Sequence, residues 1–384
     1  MVDPAELTQR MPMPDELSPL DRRRADIDAK QQVIARLIAD LGCEAAMLLM
    51  PAHVSWFTCG MAVRGLVADS ERPGIYTNGL QRWLVCGNVD THRVFDEELD
   101  GLGFQLKEWQ WTTGRASLLG ELIVGKTVAV DRPYPGLPLI NERLRLEIRP
   151  LTQFEFDQTQ VLGRALAHAL EASAKDLTPG ETEADVAGEI AHRLMRRGAT
   201  AEMVSVIADD RGTVYRRSGF TTTPITHACT LQATASMHGL HATSSRTVHF
   251  GPPAPGFRDA FDTACKLSAI YRSMSKPEES IATAGEAGKW LLANTPYEFE
   301  WRLSQPGFGT GRLHAEELRR MGQDEPFGIG QAVVWQARIG PAAVVDTVVV
   351  SPDGPFAVTP PEDWPFKRIR LKDRVYDVPD LLVR

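Results

Sequence analysis

Few side chains in this 384-residue chain could do chemistry, and they are scattered. Arg216 and Arg217 are adjacent; facing inward, two guanidinium groups would clamp a carboxylate or a phosphate, and facing outward they are a solvated loop. His238 and His241 form an HxxH, but in a stretch of strand character, where residues three apart point to opposite faces and cannot chelate together. His227 and Cys229 share a strand face, yet a nucleophile and its base normally come from separate elements with a third group orienting the base. Ser273-Met274-Ser275-Lys276 fits the Ser-x-x-Lys pattern without the companion motifs of that hydrolase class. The glycines of GFGTG (307–311) are followed by no strand–helix unit with an acidic residue, so a dinucleotide site is not indicated.

Composition narrows the classes further. The five cysteines (Cys43, Cys59, Cys86, Cys229 and Cys265) form no Cys-x-x-Cys pair, which speaks against a zinc cluster or a disulfide framework. A net charge of −8 argues against a nucleic-acid partner, which would want a basic stripe. No run of some 18 apolar residues is present, and the N-terminus lacks the apolar core of a signal peptide. The expectation is a cytoplasmic protein with no membrane partner.

The elements that must position these residues fall into two regions. Apolar residues at helical spacing predict a helix over Leu20–Leu41, stopped by Gly42. The β-rich runs AAMLLM, VSWFTCG, GIYTN and RWLVCGN follow, alternating with helical segments, one of them near Ala116–Ile123. That pattern predicts an α/β domain over residues 1–152 with a mixed sheet. From Phe154 to about Lys175 a long helix is expected, then a second one started by Thr182 with Asp185 in a capping arrangement. Strand-like segments, helices over about Arg258–Met274 and Ser280–Ala293, and the β-rich AVVWQARI and PAAVVDTVVVSPDG complete an α+β domain over residues 153–384.

Taken in order, several of these segments resemble the creatinase, aminopeptidase P and prolidase ("pita-bread") superfamily. LTPGETEADVAGEIAHRLMRRGA looks like its Pro-Gly-x-Thr-Glu helix, and ATASMHGLHATSSRTVHFG like its hairpin closing on Arg-Thr and Gly. GFGTG looks like its Gly-His-Gly-x-Gly turn, GQAVVWQ like its Gly-Met-Val-x-x-x-Glu strand, and VVDTVVVSPDG like its last Glu-bearing strand. RADIDAKQQVIARLIADLGCEAAMLLMPAHVSWFTCG is similar to the creatinase N-terminal domain. The resemblance implies a creatinase-like α/β domain followed by a pita-bread α+β domain, and a homodimer.

Enzymes of this family hold two divalent ions with two Asp, one His and two Glu, which lower the pKa of a bridging water. Anchored on Gly239 and Arg246-Thr247, the two Asp positions fall on Gln232 and Thr243. The His falls on Phe308, the first Glu on Gln336 and the last on Val345, with Asp346-Thr347 matching the polar pair that follows it. Phenyl and isopropyl groups cannot ligate, and neutral Gln and Thr leave no anionic cage for two dications. Creatinase itself works without metal through a histidine base, but in DRGTVYRRSGF that place is taken by Arg217 or its neighbour, and guanidinium is no base near neutral pH.

The resemblance therefore implies a homologue of Xaa-Pro aminopeptidase and creatinase enzymes without metal or other cofactor, a catalytically degenerate protein that binds a small molecule or regulates. The alternative is a metal-independent hydrolase of a C–N bond in a small amidino or amino-acid-like substrate. Trp301, Arg302, Gln305, Phe308 and Gln336 would line a neutral, aromatic and amide-rich cavity. Gln232 and Thr243, with Arg216 and Arg217 beside the pocket, complete the candidate ligand site. Asp346, His227, His238 and His314 are the only titratable groups that could serve the alternative.

Overall fold

The computed structural model describes residues 17–61, 68, 71–312 and 324–384, so His314 lies outside the described residues. The chain divides into two compact units, Met1–Glu147 and Ile148–Arg384.

In the first unit, β1 (Ala45–Leu48), β2 (Gly74–Thr77), β3 (Arg82–Gly87), β4 (Gln105–Trp109) and β5 (Val128–Val130) form a mixed sheet in the order β4-β3-β2-β1-β5. The helix Pro19–Asp40 starts where Ser18 accepts the amide of Asp21, and it buries Ile27, Ile34, Leu37 and Ile38 on one face. VSWFTCG, expected as a strand, is instead the end of a helix, Pro51–Phe57, and the turn after it. Pro51 presets the first helical residue. The buried Asp131 carboxylate accepts the amides of Leu49 and Met50 at 2.8 Å each and meets His53 Nδ1 at 2.9 Å, anchoring the helix start. These tertiary contacts outweigh the β-propensity of the segment.

The second unit holds β6 (Thr200–Ala208), β7 (Ala228–Met237), β8 (Leu240–His249), β9 (Gly307–Thr310), β10 (Ala332–Ile339), β11 (Ala342–Val349), β12 (Phe356–Ala357), β13 (Phe366–Leu371), β14 (Arg374–Pro379) and β15 (Leu382–Val383). They form two four-stranded sheets, β15-β8-β7-β6 and β12-β11-β10-β9, and the hairpin β13-β14. Helices Gln153–Asp176 and Glu183–Met195, each opened by a capping box, pack on the first sheet through Leu162, Leu166, Leu170, Ile190 and Leu194. Helices Pro255–Ser273 and Ile281–Leu292 cover the second through Phe261, Leu267, Tyr271 and Leu292, against Trp335 and Val344.

The two sheets are stitched where β8 runs beside β11. Val345 donates its amide to Ser245 Oγ at 2.9 Å, while Thr347 Oγ1 accepts the amide of Thr243 and donates to its carbonyl, both at 2.8 Å. Strands β7, β8, β11 and β10 thus lie side by side. GFGTG, expected as a turn, supplies the edge strand β9. A Cβ on Gly307 would stand 2.4 Å from the Val334 carbonyl oxygen and 2.7 Å from the Trp335 ring, so only glycine lets β9 pair this closely. Strands β12 to β15 were not anticipated; β13 alternates exposed and half-buried positions and carries no continuous apolar run. Among the described residues, no helix is long and apolar enough to cross a membrane.

Candidate functional site

Strand register decides which side chains share a face. Gln232 on β7 stands opposite Ser245 on β8, and Thr234 opposite Thr243, with their hydroxyls 2.8 Å apart. On the other sheet Gln336 stands opposite Val345, Arg338 opposite Ala343, and Phe308 opposite Val334. Because alternate residues of a strand share a face, Val334, Gln336 and Arg338 point one way, together with Phe308 and Val345. The stitching through Ser245 completes a row: Gln232, Ser245, Val345, Gln336. It holds three of the five positions aligned with the metal ligands, and Phe308 flanks it.

Arg338 dominates this row, and the sequence reading overlooked it. Its Nη2 donates to Gln232 Oε1, so the side chain spans the two intervening strands. The small residues opposite it and beyond, Ala343 and Ser245, leave room for that stem. Burial first, then the neighbouring charges of Arg216 and Arg217, bring its pKa down to about 10. It stays protonated at neutral pH. Among the described residues no carboxylate pairs with Arg338, and no side-chain partner is seen for Gln336.

The other expected residues are placed less uniformly. Arg216 is turned inward, donating to the Gly340 carbonyl at 2.6 Å and pairing with Glu300 at 3.0 Å. Arg217 is exposed but within electrostatic reach of Arg338. Thr243 is buried and engaged with Thr234 and Thr347. Gln305 folds onto its own strand entry, donating to the Gly307 carbonyl at 3.3 Å. Trp301 is 39% exposed, with Lys289 Nζ 4.3 Å above its ring and Arg302 at 5.3 Å. The expected neutral cavity is thus a cationic row in which Gln232, Thr243, Phe308 and Gln336 meet, with Trp301 and Arg302 on the surface.

The titratable candidates do not join it. Asp346, next to Val345, points to the opposite face, accepting from Ser244 Oγ at 3.2 Å and Thr359 Oγ1 at 3.1 Å. His227 and His238 are exposed at the two ends of β7. His238 belongs to the hairpin turn, with φ of 51°, ahead of Gly239 at 72°. His241 Nδ1 lies 2.9 Å from the Gly311 carbonyl. Cys229 is fully buried, and burial pushes its thiol up, away from the nucleophilic thiolate. Ser273 Oγ donates to the Ile270 carbonyl at 2.7 Å, as the polar end of its helix. Concave spaces of about 510 and 640 Å³ lie along β13 and β14, lined by Arg368 and Asp377 and by Arg374 and Tyr376, away from the row.

Two divalent ions do not fit this donor set. Of the two aligned Asp positions, Thr243 spends its hydroxyl on Thr234, and the Gln232 oxygen already accepts from a guanidinium. An ion bound to it would sit within about 4 Å of that charge; at an effective dielectric of 20 the repulsion is about 8 kcal/mol, twice that of two unit charges. Among the described residues no group of three or more His, Cys, Asp or Glu stands together as a metal site.

Residues 157–340 match the model of Metallopeptidase family M24. Solved structures share the fold over nearly the whole chain. Dipeptidase PepE from Mycobacterium ulcerans is 17% identical, with a TM-score of 0.72, covering 94% of this chain and 98% of its own. An X-Pro aminopeptidase from Thermotoga maritima MSB8 is 13% identical, with a TM-score of 0.72 and coverage of 92% and 99%. The N-terminal domain of the FACT complex subunit SPT16 from Cicer arietinum (chickpea) is 11% identical, with a TM-score of 0.63 and coverage of 88% and 96%. No curated protein matches the chain by sequence.

Proposed function

We propose that this chain, which shares the fold of the prolidase and aminopeptidase P enzymes and matches the M24 model over residues 157–340, is a metal-independent, ligand-binding homologue of these peptidases. One observation carries the reading: the row across β7, β8, β11 and β10 bears Gln232, Val345 and Gln336 under the guanidinium of Arg338. A centre that activates water on two dications needs anionic oxygen ligands, and this row is neutral or cationic. The chickpea neighbour, named as a domain of a complex subunit, supports a use of the fold outside peptidase chemistry.

The alternative, a metal-independent hydrolase of a C–N bond, needs a general base within reach of the row. Among the described candidates Asp346 faces away, and His227 and His238 stand at the strand ends, while His314 lies outside the described residues. The ligand-binding reading is therefore preferred.

The deciding experiment is a thermal-shift titration with Mn²⁺, run beside an assay of X-Pro dipeptide cleavage. The expected outcome is no saturable stabilisation by Mn²⁺ and no cleavage. Saturable stabilisation together with Mn²⁺-dependent cleavage would overturn the proposal.

A further inference from the structure

Resting on that ligand-binding reading, we infer that Arg338, Gln336 and Arg217 form a receptor for the carboxylate of a small, partly apolar organic anion.

The inference starts from an imbalance of charge. Elsewhere in this unit most arginines that leave the solvent are met by a carboxylate, Arg246 by Glu171 at 2.8 Å, Arg312 by Glu155 at 2.6 Å, Arg211 by Glu183 at 2.9 Å and Arg216 by Glu300 at 3.0 Å, while the buried Arg272 donates to the Asp377 carbonyl. Among the described residues, Arg338 is met only by the neutral amide oxygen of Gln232. A guanidinium offers five N–H donors in a planar fork, and one amide oxygen uses a small part of that capacity. Arg217 makes the deficit larger, since no carboxylate pairs with it among the described residues, whereas Arg216 is neutralised by Glu300. An anion here would relieve the same repulsion and desolvation that lower the proton affinity of Arg338.

Geometry selects the kind of anion. Gln336 precedes Arg338 by two residues, so its amide projects from the same face of β10, and both side chains are half-buried rather than sealed. One carboxylate oxygen can take the guanidinium and the other the Gln336 amide N–H. Beside them the half-buried Phe308 presents apolar surface, which suits a ligand with a hydrocarbon body and disfavours a bare phosphate. Arg217, exposed, steers a negative charge in and contributes less once it is bound.

Calorimetric titration of the full chain tests this with N-acetyl amino acids, 2-oxo acids and X-Pro dipeptides, their uncharged amides where these exist, and inorganic phosphate. At least one carboxylate is expected to bind, with its amide about tenfold or more weaker, the loss of one charge-assisted pair. Arg338→Gln should weaken the acid by about tenfold or more, and Arg338→Lys, which keeps the charge without the fork, by less. Arg217→Gln should weaken it a few-fold and flatten its salt dependence. Circular dichroism melting of each variant separates misfolding from lost affinity. Equal binding of acid and amide, unaffected by Arg338→Gln, would overturn the receptor while leaving the ligand-binding reading standing. Phosphate binding tighter than every carboxylate would overturn the choice of ligand class, and silence across the panel would overturn the inference. None of these outcomes depends on Mn²⁺ or on peptide cleavage, so this test and the one above fail separately.

Discussion

The two faces of β8 carry opposite solutions to buried polarity. On the even face, Arg246 donates to Glu171 through Nε at 2.9 Å and Nη2 at 2.8 Å and to Ser244 Oγ at 3.0 Å, and it lies 3.8 Å from Asp346. Glu171 also accepts the amides of Glu362 and Asp363, tying the segment after β12 to the long helix. On the odd face, Thr243 and Ser245 look towards Gln232, Val345 and Gln336, where among the described residues no carboxylate stands and the charge is Arg338. Charge is kept on the even face, where a partner has been built for it, and the proposed metal-independent function asks for no carboxylate on the odd face. Carboxylates crowded on the odd face without dications would repel one another and raise each other's pKa values, which the neutral residues at 232, 243, 336 and 345 avoid together.

The largest expected effect breaks the even face. Replacing Arg246 with Met leaves Glu171 buried and without its guanidinium partner, which costs about 3–5 kcal/mol. A drop of that size in the free energy of unfolding by urea, with Mn²⁺ still inert, is the expected result. A loss below about 1 kcal/mol would mean that the Glu171–Arg246 pair does not hold the helix to the sheet.

A smaller effect sharpens the odd face. Gln336→Glu places a carboxylate two residues from Arg338 on the same strand face, supplying internally the group that a ligand is inferred to bring. Affinity for carboxylates should fall about tenfold, while stability at neutral pH rises by up to about 1 kcal/mol. The new carboxyl, beside a cation, has its folded-state pKa depressed. Its contribution is present above the ordinary Glu value of about 4.3 and is lost as pH falls through the depressed one. Calorimetry and urea unfolding read the two halves of this prediction, and unchanged affinity would separate Arg338 from the ligand.

Much of this was legible in the sequence, because it rests on local chemistry. Thr182 with Asp185 announced a capping box, Gly239 and Arg246-Thr247 fixed the hairpin, and the order of motifs placed Gln232, Thr243, Phe308, Gln336 and Val345 near one another. Arg338 was not legible, since an arginine near the end of a strand looks solvated until register sets it over Ala343 and Ser245. Trp301 misled for the opposite reason: an aromatic next to a motif suggests a lining, but its ring is covered by Lys289 and Arg302 at the surface. The helix at Pro51–Phe57 depends on Asp131, some eighty residues away, and no local pattern carries that information.

The smallest expected effect is a difference of slope, and it compares two aspartates of this unit. Asp346 is fully buried, and burial raises its pKa against the lowering pull of Arg246, Arg272, Thr359 and Ser244. At Asp209, burial also pushes upward, but the Thr226 hydroxyl and the amides of Ala228, His227 and Thr226 outweigh it, and the net shift is downward. The linkage signs are therefore opposite. The stabilisation tied to Asp346 is full below the ordinary Asp value of about 3.9 and is lost as pH rises through the raised folded value. That tied to Asp209 is present above about 3.9 and is lost as pH falls through the depressed one. Against wild type, Asp346→Asn should gain stability as pH rises from about 3 towards 7, whereas Asp209→Asn should lose it. Urea unfolding across that range reads the slopes, which are independent of any constant offset from altered hydrogen bonding. Slopes of the same sign would mean that the even face of β8 holds Asp346 as a stabilised anion, and the contrast between the two faces would then lie in their partners and not in their tolerance of charge.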